Sequence, residues 1–292
     1  LKWTIEAKAI TPDHESNYYT MAKWSAGKSI GPRESLKGQK DADGLVDTDT
    51  LVLTHPASSV KVRVTASGVA QGSIPELKFI GLSMANTTVH PTALEPNKSA
   101  WGKQLAVPEK CQLSYKGGNV WCSPTGTSMM LNHWAKVCER PDLAIDVSDV
   151  AAGVLDPVYG GTGNWPFNAG YAGSFNGMRA YITRFSDVSE LEDWVAKGIP
   201  VVCSVSYRLL KGLEKAEASG HIVVCVGFTP EGDPIMNDPW AHLEKGEKVR
   251  KTFKRKDLIA GWGHSHNTVY LVYPEGTALP KDRFGHWDHT GK

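Results

Sequence analysis

Trp121-Cys122-Ser123-Pro124-Thr125 governs the reading of the whole chain, because it sets a cysteine at the mouth of a helix. The residues behind it, Gly126 through Cys138, carry helical spacing. Met130, Trp134 and Val137 recur along one stripe, and Leu131 and Cys138 widen it. Ser123 is the expected N-cap, and Pro124 suits the first helical position, where its missing N–H leaves nothing unsatisfied. The partial positive charge of a helix start favours thiolate over thiol. A cysteine nucleophile is prepared in this way.

A nucleophile needs a base, and the base needs a group to orient it. His221 opens the apolar run His221-Ile222-Val223-Val224-Cys225-Val226-Gly227-Phe228, which ends in the turn Thr229-Pro230-Glu231-Gly232-Asp233. A second short strand, Pro234-Ile235-Met236-Asn237-Asp238, follows and stops before Pro239. Two strands joined by a tight turn form a hairpin, and His221 and Asp238 are expected side by side on it. The order Cys, His, Asp is that of papain-like enzymes.

The segments WCSPT, DPVYGGTGNWPFNAGYAG, GHIVVCVGF and NDPW, in this order, resemble the C39-like cysteine peptidase family. The resemblance runs from about Val107 to about Pro274. It implies an α+β, papain-like peptidase domain, a helix packed on an antiparallel sheet. It also implies thiol-dependent hydrolysis of peptide bonds through Cys122, His221 and Asp238. Papain-like enzymes place a glutamine amide upstream of the cysteine as an oxyanion donor beside the cysteine's own N–H. By resemblance Gln112 fits that role, with Gln104 as its rival and a surface glutamine as the structural alternative. No cofactor is implied.

The loop from Asp156 to Asn168 sets glycines beside aromatics, and long ordered loops tend to be functional. It reads as a wall of the substrate cleft. Tyr159 and Trp165 would offer apolar subsites, and Gly161 a backbone amide for extended peptide. Trp121 and Gly220, flanking the nucleophile and the base, complete the expected substrate-binding set. The competing reading is a structural loop that buries its aromatics.

The remainder supplies the frame. The chain has 292 residues, 41% apolar and 22% charged, with a net charge of +1. That is room for two domains, and it argues against a nucleic-acid partner. The basic run Lys248 to Lys256 reads as one solvated strand face. No apolar run reaches the roughly 18 residues of a membrane span. Leu1-Lys2-Trp3 leads into mixed sequence with no signal peptide, and the missing initial Met suits a trimmed form. The expected location is secreted or extracytoplasmic, with the cytoplasm as the alternative.

Residues 1–100 read as a β-rich accessory domain, sandwich-like, built from short strands such as 50–53, 60–65 and 77–82. Trp3, Tyr18, Tyr19 and Trp24 could line a face for a carbohydrate or cell-wall ligand, or simply pack. A linker-like stretch from Asn86 to Trp101 holds two glycosylation sequons, Asn86-Thr87-Thr88 and Asn97-Lys98-Ser99. The peptidase domain is expected over 101–280 and a tail over 281–292.

Within the peptidase domain, helices are expected over 147–154 with Ser148 as cap, from Ser189 to a stop at Gly198 and Pro200, and over 256–262. Strands are expected over 201–207, 249–253 and 268–273, for at least five in the sheet.

With Cys122 assigned, four of the five cysteines remain. Cys111 with Cys138 and Cys203 with Cys225 could bridge, but four buried thiols are preferred. His264 with His266, and His286 with His289, lack a third ligand and read as polar surface. The expected function is a thiol-dependent peptidase acting on a peptide or protein. The alternatives are an acyl transferase or transpeptidase on the same triad, or a binding protein on an inactive peptidase-like scaffold.

Overall fold

The computed structural model describes residues 1–25, 33–89, 92–217 and 219–285. The histidines His286 and His289 lie outside the described residues. The chain divides into two compact units, one of residues 1–80 and 152–167, the other of 81–151 and 168–292.

In the first unit β1 (Lys2–Ile10) is flanked by β2 (Tyr19–Ser25) and by β5 (Ser59–Ser67), both antiparallel. The strands β3 (Gly44–Asp47) and β4 (Thr50–Leu53) form a separate hairpin. Along β5 the residues alternate between exposed and half-buried, as period-two patterning requires of a strand with one wet face. The wet face carries ion pairs. Arg63 grips Glu6 through two hydrogen bonds of 2.6 and 2.7 Å, and Lys61 and Lys8 both reach Glu15.

Of the candidate ligand-binding aromatics, Tyr19 is buried and bonds to Asp41, and Arg63 lies over the ring of Tyr18. Residues 77–82 form no strand, and Leu77, Ile80 and Leu82 are exposed. Apolar content does not make a strand unless the backbone N–H and C=O groups find a partner.

The second unit is built on a six-stranded sheet, to which the helices add one by one. The helix α1 (Cys122–Val137) leads, followed by α2 (Val147–Val154) and α3 (Trp165–Gly173), which each give three residues to the first unit, and by β6 (Met178–Arg184). Next come α4 (Val188–Ala196), β7 (Val201–Val205), the short α5 (Tyr207–Leu210), β8 (His221–Phe228) and β9 (Pro234–Asn237). The last elements are β10 (Arg250–Thr252), α6 (Arg255–Gly263) and β11 (Thr268–Pro274). The sheet order is β10-β9-β8-β7-β11-β6, and every pairing is antiparallel.

Every residue of β7 and β8 is buried, which is why both read as continuous apolar runs. The α1 helix packs on this pair at Gly126. A Cβ there would stand 3.1 Å from Ile222 and 3.5 Å from Val202, so the missing side chain permits the close approach. Inside the same core Trp194 of α4 stacks on Phe185 at 5.9 Å and meets Tyr273 at 5.8 Å.

The stretch read as a linker is in part built into this unit. The N–H of Leu94 donates to Asp187, that of Asn97 and the indole of Trp101 donate to Glu192, and Arg255 pairs with the same buried carboxylate. The N–H groups of Gly102 and Leu105 then donate to Phe228 and Val226 of β8. At Gly227 a Cβ would stand 2.2 Å from the Lys103 carbonyl, so only glycine allows this crossing.

Three helix starts differ from the sequence reading. The first helix begins at Cys122 itself, capped without a side chain by Trp121, and Ser123 instead bonds to the Tyr270 hydroxyl at 2.8 Å. Pro124 therefore sits third, where its lack of an N–H still costs nothing. Asp146, not Ser148, caps α2, and Asp187, not Ser189, caps α4. In these two helices a carboxylate two residues earlier takes an orphan N–H group. At the far end of α1, Val137 and Cys138 are exposed, so the buried stripe stops at Trp134. All five cysteines are free thiols, and Cys111, Cys203 and Cys225 are buried.

Candidate active site

Cys122 is the first residue of α1, with its side chain half-buried against the start of β8. Its thiol comes under the influence of His221 and of the N–H groups of Ile222 and Ser123. Burial alone would push this thiol up. The His221 hydrogen bond, the His221 charge and the two N–H groups outweigh it and hold the thiol below its ordinary value.

His221 is the first residue of β8 and is buried. Its Nε2 lies 2.9 Å from Asp238 Oδ1, which leaves Nδ1 for the sulfur. The hairpin register explains the pairing. Val224 stands opposite Asn237, so Asp238 continues opposite Val223, and His221 is the diagonal neighbour on the same face. Burial would push the imidazole down. The bond to Asp238 and the contact with Cys122 prevail and push it up to about 9.

Asp238 is fully buried, and its oxygens are saturated. Oδ1 also accepts the Trp240 N–H at 2.9 Å, and Oδ2 accepts the Tyr207 hydroxyl at 2.6 Å and the Lys251 ammonium at 2.9 Å. Burial would raise this carboxyl, but the bonds from His221, Tyr207 and Lys251 hold it well below the usual carboxylate range. The Tyr207 ring also packs against the imidazole, with centroids 4.6 Å apart.

Sequence reasoning missed both of these partners. By its sequence Tyr207 reads as the last residue of a strand, but β7 ends at Val205, Ser206 accepts the Leu209 N–H, and Tyr207 opens α5. Lys251 sat inside the basic run read as a solvated face. A single lysine one strand away from Asp238 carries no local signal.

Gln112 is 1% exposed. Its Nε2 donates to the Gly118 carbonyl at 2.8 Å, the same carbonyl that accepts the Trp121 N–H at 3.0 Å. This ties Gln112 to the turn that delivers Cys122. An amide has two N–H donors, so one remains. Its Oε1 has no hydrogen-bond partner among the described residues. Gln104, the rival, is exposed and bridges to Gly227.

The substrate-binding candidates separate into two groups. Trp121 is half-buried beside Tyr115, with ring centroids 6.3 Å apart, and Gly220 is exposed immediately before His221. Tyr159, Gly161 and Trp165 belong to the N-terminal unit. There Asp156, fully buried, accepts the N–H groups of Ser35, Val158 and Tyr159 and the Asn164 amide. The Gly161 N–H donates to the Asp156 carbonyl, Trp165 donates its N–H to Asp49, and Phe167 meets Trp24 edge-on at 5.6 Å. Tyr159 itself is 46% exposed.

A half-buried cysteine beside a buried His–Asp pair, with N–H groups at the helix start, is an arrangement suited to covalent acyl chemistry. The model of the Peptidase C39 like family matches residues 104–269, a span that holds all four candidate catalytic residues. The chain belongs to this family. A peptidase-type function follows. The model of the Peptidase C39 N-terminal domain matches residues 3–85.

Among solved structures, a candidate C39-like peptidase from Bacillus anthracis aligns at 15% identity and a TM-score of 0.45, covering 60% of this chain and 100% of that chain. No curated protein matches the chain. Among the described residues, no group of three or more His, Cys, Asp or Glu is arranged to hold a metal ion, and no helix is long and apolar enough to cross a membrane.

Proposed function

We propose that this member of the family hydrolyses peptide bonds by covalent catalysis at Cys122, with His221 as general acid and base and Asp238 as its orienting group. The observation that carries the reading is the buried His221–Asp238 pair beside Cys122. His221 is bonded at 2.9 Å to Asp238 on one side, and on the other its charge holds the Cys122 thiol below its ordinary value.

Cys122 passes its proton to His221, and the resulting thiolate attacks the peptide carbonyl carbon. The oxyanion is held by the Cys122 N–H and the second N–H of the Gln112 amide. His221 then gives its proton to the departing amine, which leaves a thioester on Cys122. Water attacks the thioester while His221 takes its proton. The carboxylic acid departs and the thiol is restored.

The test is turnover of a peptide library by the full chain and by single variants. Cys122→Ala and His221→Ala should each cost roughly 10⁴-fold or more in kcat, because members of such a unit fail together. Gln112→Ala should cost about 10²-fold, the scale of one lost oxyanion donor. Full activity in His221→Ala would end this reading. An added amine that accumulates as an acyl product would redirect it to acyl transfer.

A further inference from the structure

Asp238 does more than face His221. Its Oδ2 is occupied by Tyr207 and by the Lys251 ammonium, and that ammonium also meets Glu247 Oε2 at 2.9 Å. Glu247 in turn accepts the His242 N–H at 3.2 Å. The titratable and charged groups around the relay therefore come from five places. They are Cys122 from α1, His221 from β8, Tyr207 from α5, Lys251 from β10, and Glu247 from the loop before β10.

We propose that Lys251 is a positioning residue for His221 that acts through Asp238. Its ammonium pins Oδ2 so that Oδ1 faces the imidazole, and it draws negative charge away from that oxygen. The inference rests on reading Cys122 and His221 as the reacting pair. It adds a tuning element at the far side of the carboxylate.

The physical argument has two parts. With Tyr207 and Lys251 on Oδ2 and His221 and Trp240 on Oδ1, only one rotation of the carboxylate satisfies all four donors. A cation on the far oxygen also disfavours a second cation on the imidazole. Glu247 competes for that cation, so Lys251 delivers part of its charge elsewhere. Glu247 is 40% exposed along its side chain, so solvent screens its share more strongly.

Lys251 and Glu247 should therefore move His221 in opposite directions, an outcome that a merely structural role does not produce. The measurement is the pH midpoint at which His221 loses its proton, followed by ¹⁵N NMR of the full chain labelled on histidine. The Cys122 thiolate absorbance is recorded in parallel against Cys122→Ala.

Lys251→Met should raise the midpoint by about one pH unit, the scale of one nearby charge. Lys251→Arg should restore it. Glu247→Gln, a surface change that leaves the fold intact even where Lys251→Met does not, should lower it by less. An unmoved midpoint in Glu247→Gln and Lys251→Met, or a downward shift in Lys251→Met, overturns the inference. If the wild-type chain shows an ordinary imidazole and no thiolate at neutral pH, the nucleophile reading itself fails. If the wild type shows both and the variants do not move, only the role of Lys251 falls.

Discussion

Val201–Val205 and His221–Phe228 are buried at every position, whereas Ser59–Ser67 alternates exposed and half-buried residues along its length. Both are antiparallel strands at the centre or flank of a sheet, yet they serve different chemistry. A strand covered on both faces can hold an imidazole and a carboxylate away from water, where each hydrogen bond and each charge counts for more. A strand with one wet face is tied by cross-strand pairs and by ion pairs that solvent weakens. The candidate relay of Cys122, His221 and Asp238 accordingly belongs to the doubly covered sheet, whereas the ion pairs that line β5 lie on its wet face.

This contrast can be broken most directly in the core of the second unit. Trp194 is fully buried between Phe185 and Tyr273. Trp194→Ala should cost about 3–5 kcal/mol in urea unfolding, the usual result of an aromatic cavity. Hydrogen exchange at β7 and β8 should accelerate with it, while amides of β1 and β5 stay unchanged. A loss spread evenly over both units would show that the two do not differ as described.

A smaller effect sharpens the same point through pH. Glu190 is buried on α4, and burial, reinforced by Asp282, Asp187 and Asp193, pushes its carboxyl up to about 8. The folded state then binds a proton that the unfolded chain has already released. That stability is complete below the ordinary carboxyl value and is lost as pH rises through about 8. Glu190→Gln should remove this loss, stabilising the fold at pH 9 and changing it little at pH 4. Thermal unfolding at the two pH values measures it, and equal gains at both would refute the assignment.

The smallest effect belongs to the wet face. Arg63→Met removes the double contact with Glu6. Its Tm should fall by less than either change above, and the difference should shrink further in high salt. A salt-independent loss as large as that of Trp194→Ala would place β5 in the buried class after all.

Much of the second unit was legible because its signals are local. The run from His221 to Phe228 ends where the strand ends, α2 spans the expected residues, and Gly198 with a positive φ stops α4 as anticipated. Where the reading failed, the deciding partner was distant in sequence. Residues 77–82 have strand-like content but no strand beside them. Met178–Arg184 was not expected, and it becomes an edge strand because β11 pairs along its whole length. Tyr207 looks like the continuation of an apolar strand until the cap at Ser206 turns the chain.

The sequence by itself determined the helix behind Cys122, the strand that opens at His221, and the hairpin that returns to Asp238. Each follows from periodicity, turns and chain order, which are properties of neighbouring residues. Only the tertiary structure decided that Asp238 also meets Tyr207 and Lys251, that Gln112 is held by Gly118 beside the nucleophile, and that Asp156 gathers the Gly161 loop within the N-terminal unit. Those contacts join groups from separate elements. A buried polar group takes whatever partner packing brings to it, and local pattern carries no record of that choice.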